Sequence, residues 1–106
     1  PEMNMRGVFT TGSDGTYEIG GVRPVKYTIP GDGPAGELLF ANARHNWRPA
    51  HMHFVVSAPG CKTVITHLFD RESEYLGSDA VFGVRDSLIV DMANGACAFD
   101  FVLERE

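Results

Sequence analysis

His51 and His53 stand two apart in the run Arg48-Pro49-Ala50-His51-Met52-His53-Phe54-Val55-Val56. The residues after His53 are apolar and β-prone, so the run reads as a strand. Side chains alternate faces along a strand, which puts positions i and i+2 on one side. The spacing therefore predicts two imidazoles on one face, able to grip a single metal ion, with Met52 turned to the other face. The plain alternative is a polar strand face that happens to carry two histidines.

Other groups capable of chemistry gather nearby. Tyr27 lies in an extended stretch between Pro24 and Pro30, and Arg44, His45, Asn46, Trp47 and Arg48 crowd the approach to the histidine pair. A polar loop feeding a strand is where sites are commonly built. Each residue also has a structural reading: Tyr27 as a half-buried strand tyrosine, Arg48 as a surface charge, Trp47 as packing, His45 as a solvated turn residue. Imidazole suits Zn, Cu, Fe and Ni, whereas a phenolate is a hard anionic donor that favours a highly charged ion. Tyrosine plus two histidines would suit Fe(III), and the histidine pair alone would accept Zn(II). The His-x-His of a cupin also needs a Glu shortly after the second His, but Phe54, Val55, Val56 and Ser57 follow here.

The elements that must position these groups are short. With 106 residues and 43% hydrophobic content, the chain is read as one domain, residues 1–106. Twelve glycines and six prolines punctuate brief apolar runs, which predicts many strands and turns. Expected strands are 8–11, 17–19, an extended 25–29, 54–57 and 63–69. Turns are expected at Ser13-Asp14-Gly15 and Ala58-Pro59-Gly60. Glu37 to Ala43 is expected to make one or two helical turns, and Asp79 to Phe82 another. Ser87 to Met92 and Ala96 to Leu103 are expected to form a hairpin turned at Asn94-Gly95. The fold class that follows is all-β, a sandwich of mostly antiparallel strands with one or two short helical turns.

Net charge is −5 with no basic stripe, so no nucleic-acid partner is expected. No apolar run approaches the ~18 residues of a membrane span. Cys61 and Cys97 show no C-x-x-C or secreted spacing, so free thiols and a cytoplasmic setting are expected.

Longer stretches carry a resemblance. Val22-Arg23-Pro24-Val25-Lys26-Tyr27-Thr28-Ile29-Pro30, then Asp32-Gly33-Pro34, then Arg44-His45-Asn46-Trp47-Arg48-Pro49-Ala50-His51-Met52-His53-Phe54 closely resemble the intradiol ring-cleavage dioxygenases. Tyr75-Leu76-Gly77-Ser78-Asp79-Ala80-Val81-Phe82-Gly83-Val84 is similar to the hydroxyquinol and chlorocatechol branch. The resemblance runs from about Met5 to Leu103. It implies a β-sandwich holding non-haem Fe(III), with an aromatic diol and O2 as substrates. The products it implies are muconate- or maleylacetate-type diacids. By matching motif, Tyr27, His51 and His53 would be metal ligands, with Tyr27 also catalytic. Arg48 would lie against the substrate ring as a catalytic and substrate-binding group, and His67 would face the substrate. The family's first tyrosinate and N-terminal helical region correspond to nothing in these residues, so the chain looks like the C-terminal catalytic half. A catalytically silent sandwich that binds a metal such as Zn(II), or a small molecule, is the alternative. A homo-oligomer joined around Arg6 to Thr10 is the expectation for assembly, with a monomer as its alternative.

Overall fold

The structure, a computed structural model, describes residues 5–106. Its regular elements run β1 (Tyr27–Thr28), α1 (Pro34–Ala41), β2 (Trp47–Arg48), β3 (His51–Val56), β4 (Val64–Asp70), a 3₁₀ turn (Asp86–Leu88) and β5 (Ile89–Val90). β1 and β2 form a two-stranded sheet; β3, β4 and β5 form a three-stranded one. This is the expected sandwich-type, mostly β class with one helix.

The ladder between β3 and β4 is antiparallel, pairing His51 with Phe69, His53 with His67 and Val55 with Ile65. Those six side chains share one face. The alternate residues Met52, Phe54 and Leu68 turn to the other face. There, with Leu88, Val90, Met92, Phe99 and Phe101, they form the hydrophobic core. Leu68 and Phe69 are 2% and 0% exposed, so β4 is buried on both sides at this point.

Helix α1 interrupts the path from β1 to β2. Pro34 begins it at a first-turn position, where its missing N–H costs nothing. That places the helix three residues earlier than the expected Glu37 start. Gly36 backs onto Gly31 so closely that a Cβ there would meet the Gly31 carbonyl at 2.4 Å. The helix exits through Ala43 in the left-handed region, at φ 57°. Asn46 closes the base of the excursion: its N–H2 donates to the Ile29 carbonyl at 2.6 Å, and Ile29 N–H donates to its carbonyl at 2.9 Å. β1 is thereby laid beside β2, Tyr27 opposite Arg48 and Thr28 opposite Trp47. Just before β1, Arg23 donates to the buried Asp70 at 2.6 and 3.1 Å and to Glu72 at 3.0 Å.

Several expected elements take another form. Residues 8–11 and 17–19 join no ladder and are exposed, because among the described residues no strand lies alongside to complete their hydrogen bonds. The Ser13-Asp14-Gly15 turn does form, with Asp14 accepting from the Thr16 N–H and hydroxyl. Residues 79–82 make a single turn, with Phe82 N–H on the Asp79 carbonyl, and no helix. The Asn94-Gly95 turn is present, with Gly95 at φ 78°. The hairpin is not, since β5 instead pairs parallel with β4 through Phe69–Ile89 and Asp70–Val90. Beyond the turn, Phe101 packs on Phe54 and Phe99 packs on Phe101, each at a ring separation of 5.0 Å. Burial of those rings overrides the local hairpin preference, and the chain ends against the 60–62 turn through a Cys61–Arg105 bridge. Cys61 and Cys97 are both free. No described helix is long and apolar enough to cross a membrane.

The two faces of the sheet should respond differently to truncation. Leu68→Ala removes a fully buried side chain and is expected to cost about 2–5 kcal/mol in urea denaturation. Ile65→Ala, at a side chain 76% exposed, should stay within about 0.5 kcal/mol.

Candidate metal centre

Two possible donor atoms flank His51 Nε2 on the outer face of β3. His51 Nε2 lies 3.2 Å from His53 Nε2 and 3.5 Å from the Tyr27 hydroxyl oxygen. β3 supplies both imidazoles by its two-residue repeat, and the β1–β2 ladder swings Tyr27 over them. Donors each about 2.0–2.2 Å from a common ion, at angles between octahedral and tetrahedral, stand roughly 3.0–3.5 Å apart. The observed separations fit that requirement. Among the described residues no group of three or more His, Cys, Asp or Glu could hold a metal ion; beside the two imidazoles stands the phenol oxygen of Tyr27.

His51 has its tautomer set by the fold. Its Nδ1 lies 2.7 Å from the Pro49 carbonyl, which can only accept, so Nδ1 carries the proton and Nε2 presents a lone pair. Burial pushes its pKa down, and the neighbouring Arg48 and His53 add to this against the opposing Pro49 bond. A neutral imidazole is the form that binds metal. His53 is more exposed.

Arg48 is 5% exposed and stands behind the donors. Its Nε and one terminal nitrogen donate to the two carboxylate oxygens of Asp79, at 2.9 and 3.0 Å. The remaining terminal nitrogen faces His51 Nε2 at 3.2 Å. Asp79 also accepts from the Gly83 N–H at 2.8 Å and the Val81 N–H at 3.3 Å. Burial raises the Asp79 carboxyl, but Arg48 and the two backbone donors outweigh it and hold the pKa below the usual range. Gly83 is needed at its position, because a Cβ there would meet the Arg48 guanidinium at 2.8 Å.

His67 completes the face. Its ring is 4.6 Å from His53 and 5.5 Å from His51, and Phe69 lies 5.3 Å away as an apolar floor. Burial lowers the His67 pKa, helped by His53, Arg48 and His51. A cleft of about 410 Å³ opens beside it, bounded by Ile65, Gly83, Arg85 and Ser87.

The structure thus brings Tyr27, His51, His53, Arg48 and His67 to one place. His45, expected in solvent, is instead half-buried: Nδ1 accepts from the Trp47 N–H at 3.1 Å and Nε2 meets the Ser78 hydroxyl at 3.0 Å. Asp79 is the functional residue that sequence reasoning missed. It reads as a turn residue beside Ser78, and its partner lies 31 positions away.

The chain is similar to known proteins along most of its length. Residues 1–105 match the family model described as Dioxygenase. The chain is 54% identical over 91 residues to a hydroxyquinol 1,2-dioxygenase of Rhizobium sp. (strain MTP-10005), covering 86% of this chain and 31% of that protein. It is 52% identical over 103 residues to a 6-chlorohydroxyquinol 1,2-dioxygenase of Cupriavidus pinatubonensis, covering 92% and 37%. Among solved structures, the hydroxyquinol 1,2-dioxygenase of Pseudomonas putida DLL-E4 superposes with a TM-score of 0.71 at 46% identity, over 79% of this chain and 35% of that one. The chain belongs to the dioxygenase family, and it spans about a third of the length of these relatives.

The Arg48–Asp79 pair makes a stability prediction. Asp79→Asn leaves a buried guanidinium without its counter-charge and should cost about 3–5 kcal/mol at neutral pH. A carboxyl with a depressed folded pKa stabilises above its unfolded value and loses that contribution as pH falls through the folded one. Wild-type stability should therefore decline from about pH 4 downward, and less steeply in Asp79→Asn. Urea midpoints across pH 2–7 read both effects.

Proposed function

We propose that this chain carries the metal-binding centre of an intradiol ring-cleavage dioxygenase. The reaction opens the ring of a catechol- or hydroxyquinol-type diol with O2, giving a muconate- or maleylacetate-type diacid. The observation that carries this reading is that His51 Nε2 has both the Tyr27 oxygen and His53 Nε2 within 3.5 Å. The names of the relatives support the substrate class.

Tyr27, His51 and His53 would hold a non-haem Fe(III). The donor set favours that ion over Zn(II), since a phenolate is a hard anionic oxygen. When bound, the ion supplies Lewis acidity and a template for the diol.

The chain's own residues do the rest. Arg48 is permanently charged and buried, so its terminal nitrogen offers a preorganised donor to negative charge that develops on the substrate oxygens. Its pairing with Asp79 fixes the direction of that donor. The same guanidinium lies beside the Tyr27 hydroxyl. His67, kept neutral, can hydrogen-bond the substrate without adding charge. Phe69 keeps the floor of the site apolar.

Iron reconstitution tests this. The chain should bind one equivalent of Fe(III) and turn red through tyrosinate-to-iron charge transfer, and Tyr27→Phe should abolish the colour. Arg48→Lys keeps a cation beside Asp79 but loses the planar fork. It should leave iron content intact while lowering O2 uptake with hydroxyquinol at least about 10-fold. A colourless protein that prefers Zn(II) would overturn the reading.

A further inference from the structure

Tyr27 is held less firmly than His51. It is 44% exposed and sits on a strand of two residues, whereas His51 is buried in a six-residue strand. Something beyond a two-residue ladder must hold β1 in place. Besides the Asn46–Ile29 and Arg23–Asp70 contacts on either side of it, the neighbouring residue Lys26 makes contacts on the opposite side.

We infer that Lys26 is the positioning residue for Tyr27, acting through a clasp formed by Trp47, Tyr75 and Glu74; the inference rests on the metal site proposed above. Successive side chains of an extended segment point to opposite faces. Tyr27 accordingly reaches His51, while Lys26 reaches outward. The Lys26 ammonium stands 5.2 Å from the centre of the Trp47 ring and 5.5 Å from that of Tyr75. Those two rings are stacked, 5.8 Å apart and 10° from parallel. Both distances fall within the range where a ring face attracts a cation. Glu74 accepts from the same ammonium at 2.7 Å. One cation therefore ties β1 to β2, through Trp47, and to the 74–75 turn.

The backbone of that turn carries an independent mark. Tyr75 adopts φ 68°, a conformation that a bulky L-residue rarely takes. Such a conformation persists only where surroundings over-determine it. Here they are the Trp47 ring on one side and the His45 ring, 4.4 Å away, on the other. His45 is itself held by Ser78 and by the Trp47 N–H. The turn is thus set in advance to receive Lys26, and Lys26 in turn holds the residue beside the phenol donor.

Two substitutions test the role, with the charge-transfer band and iron affinity as readouts that do not need turnover. Lys26→Met keeps an apolar stem but removes the cation. It should lower Fe(III) affinity about 10-fold, measured by competition against citrate, and weaken the tyrosinate band at full iron loading. Lys26→Arg can still lie over the rings and should retain both. Glu74→Gln leaves the cation–ring contact and should lose only about 3-fold. Trp47 is the only tryptophan, so its fluorescence should shift in Lys26→Met and stay near wild type in Lys26→Arg.

Wild-type affinity and band in Lys26→Met would overturn the inference while leaving the metal site standing. Global unfolding of Lys26→Met would overturn it too, because the role assigned is confined to β1. A wild-type chain without any tyrosinate band would instead overturn the metal site itself.

Discussion

The register of β3 against β4 governs everything built on this sheet. Pairing His51 with Phe69 and His53 with His67 places three imidazoles and a phenyl ring on one face. The same register sends Met52, Phe54 and Leu68 into the core. A slip of one residue would exchange the faces, burying histidines among phenylalanines and exposing the core. Core burial therefore enforces the geometry of the site, and the histidine pair needs no separate device to keep its spacing. What the sheet cannot supply is the third donor. In the proposed site that comes from β1, which is laid beside β2 where Asn46 and Ile29 close the base of α1.

Charge in the site is arranged with similar economy. Arg48 is brought close to groups meant to receive a cation, a location where an unpaired guanidinium would be costly. Asp79 balances it with both carboxylate oxygens and is itself saturated by two backbone donors. The net effect is a guanidinium whose third nitrogen is turned to His51 Nε2. Gly83 leaves room for it. Arg48 is thus a buried anchor for the loop from Asp79 to Gly83, and in the proposed reaction it would also be the electrostatic group.

How much of this was legible beforehand depends on whether the signal is local. The His-x-His spacing, the strands on either side of the Ala58-Pro59-Gly60 turn and the placement of Tyr27 between prolines are local patterns. The structure builds β3 and β4 where those patterns put them. Residues 8–11 and 17–19 form no strands despite their β-prone composition, which says nothing about whether a partner lies alongside. The final hairpin was overcalled for a related reason: Asn94-Gly95 does turn, but Phe99 and Phe101 gain more by packing across the sheet than by pairing with β5. Asp79 and the Lys26 clasp were invisible because their partners are 31 and 48 residues away. Such pairings are properties of the fold, and no spacing rule encodes them.

The central claim is that a phenolate and two imidazoles of this chain bind one iron. X-ray absorption at the iron edge of the reconstituted protein addresses it most directly, since it reads the first ligand sphere and the scattering typical of imidazole rings. The account requires two imidazoles and a phenolate oxygen, each near 2 Å from the metal. It also requires that the oxygen contribution change in Tyr27→Phe while the imidazole count stays at two. A sphere of water and carboxylate oxygens without imidazole scattering, or a spectrum unaltered by Tyr27→Phe, would contradict it.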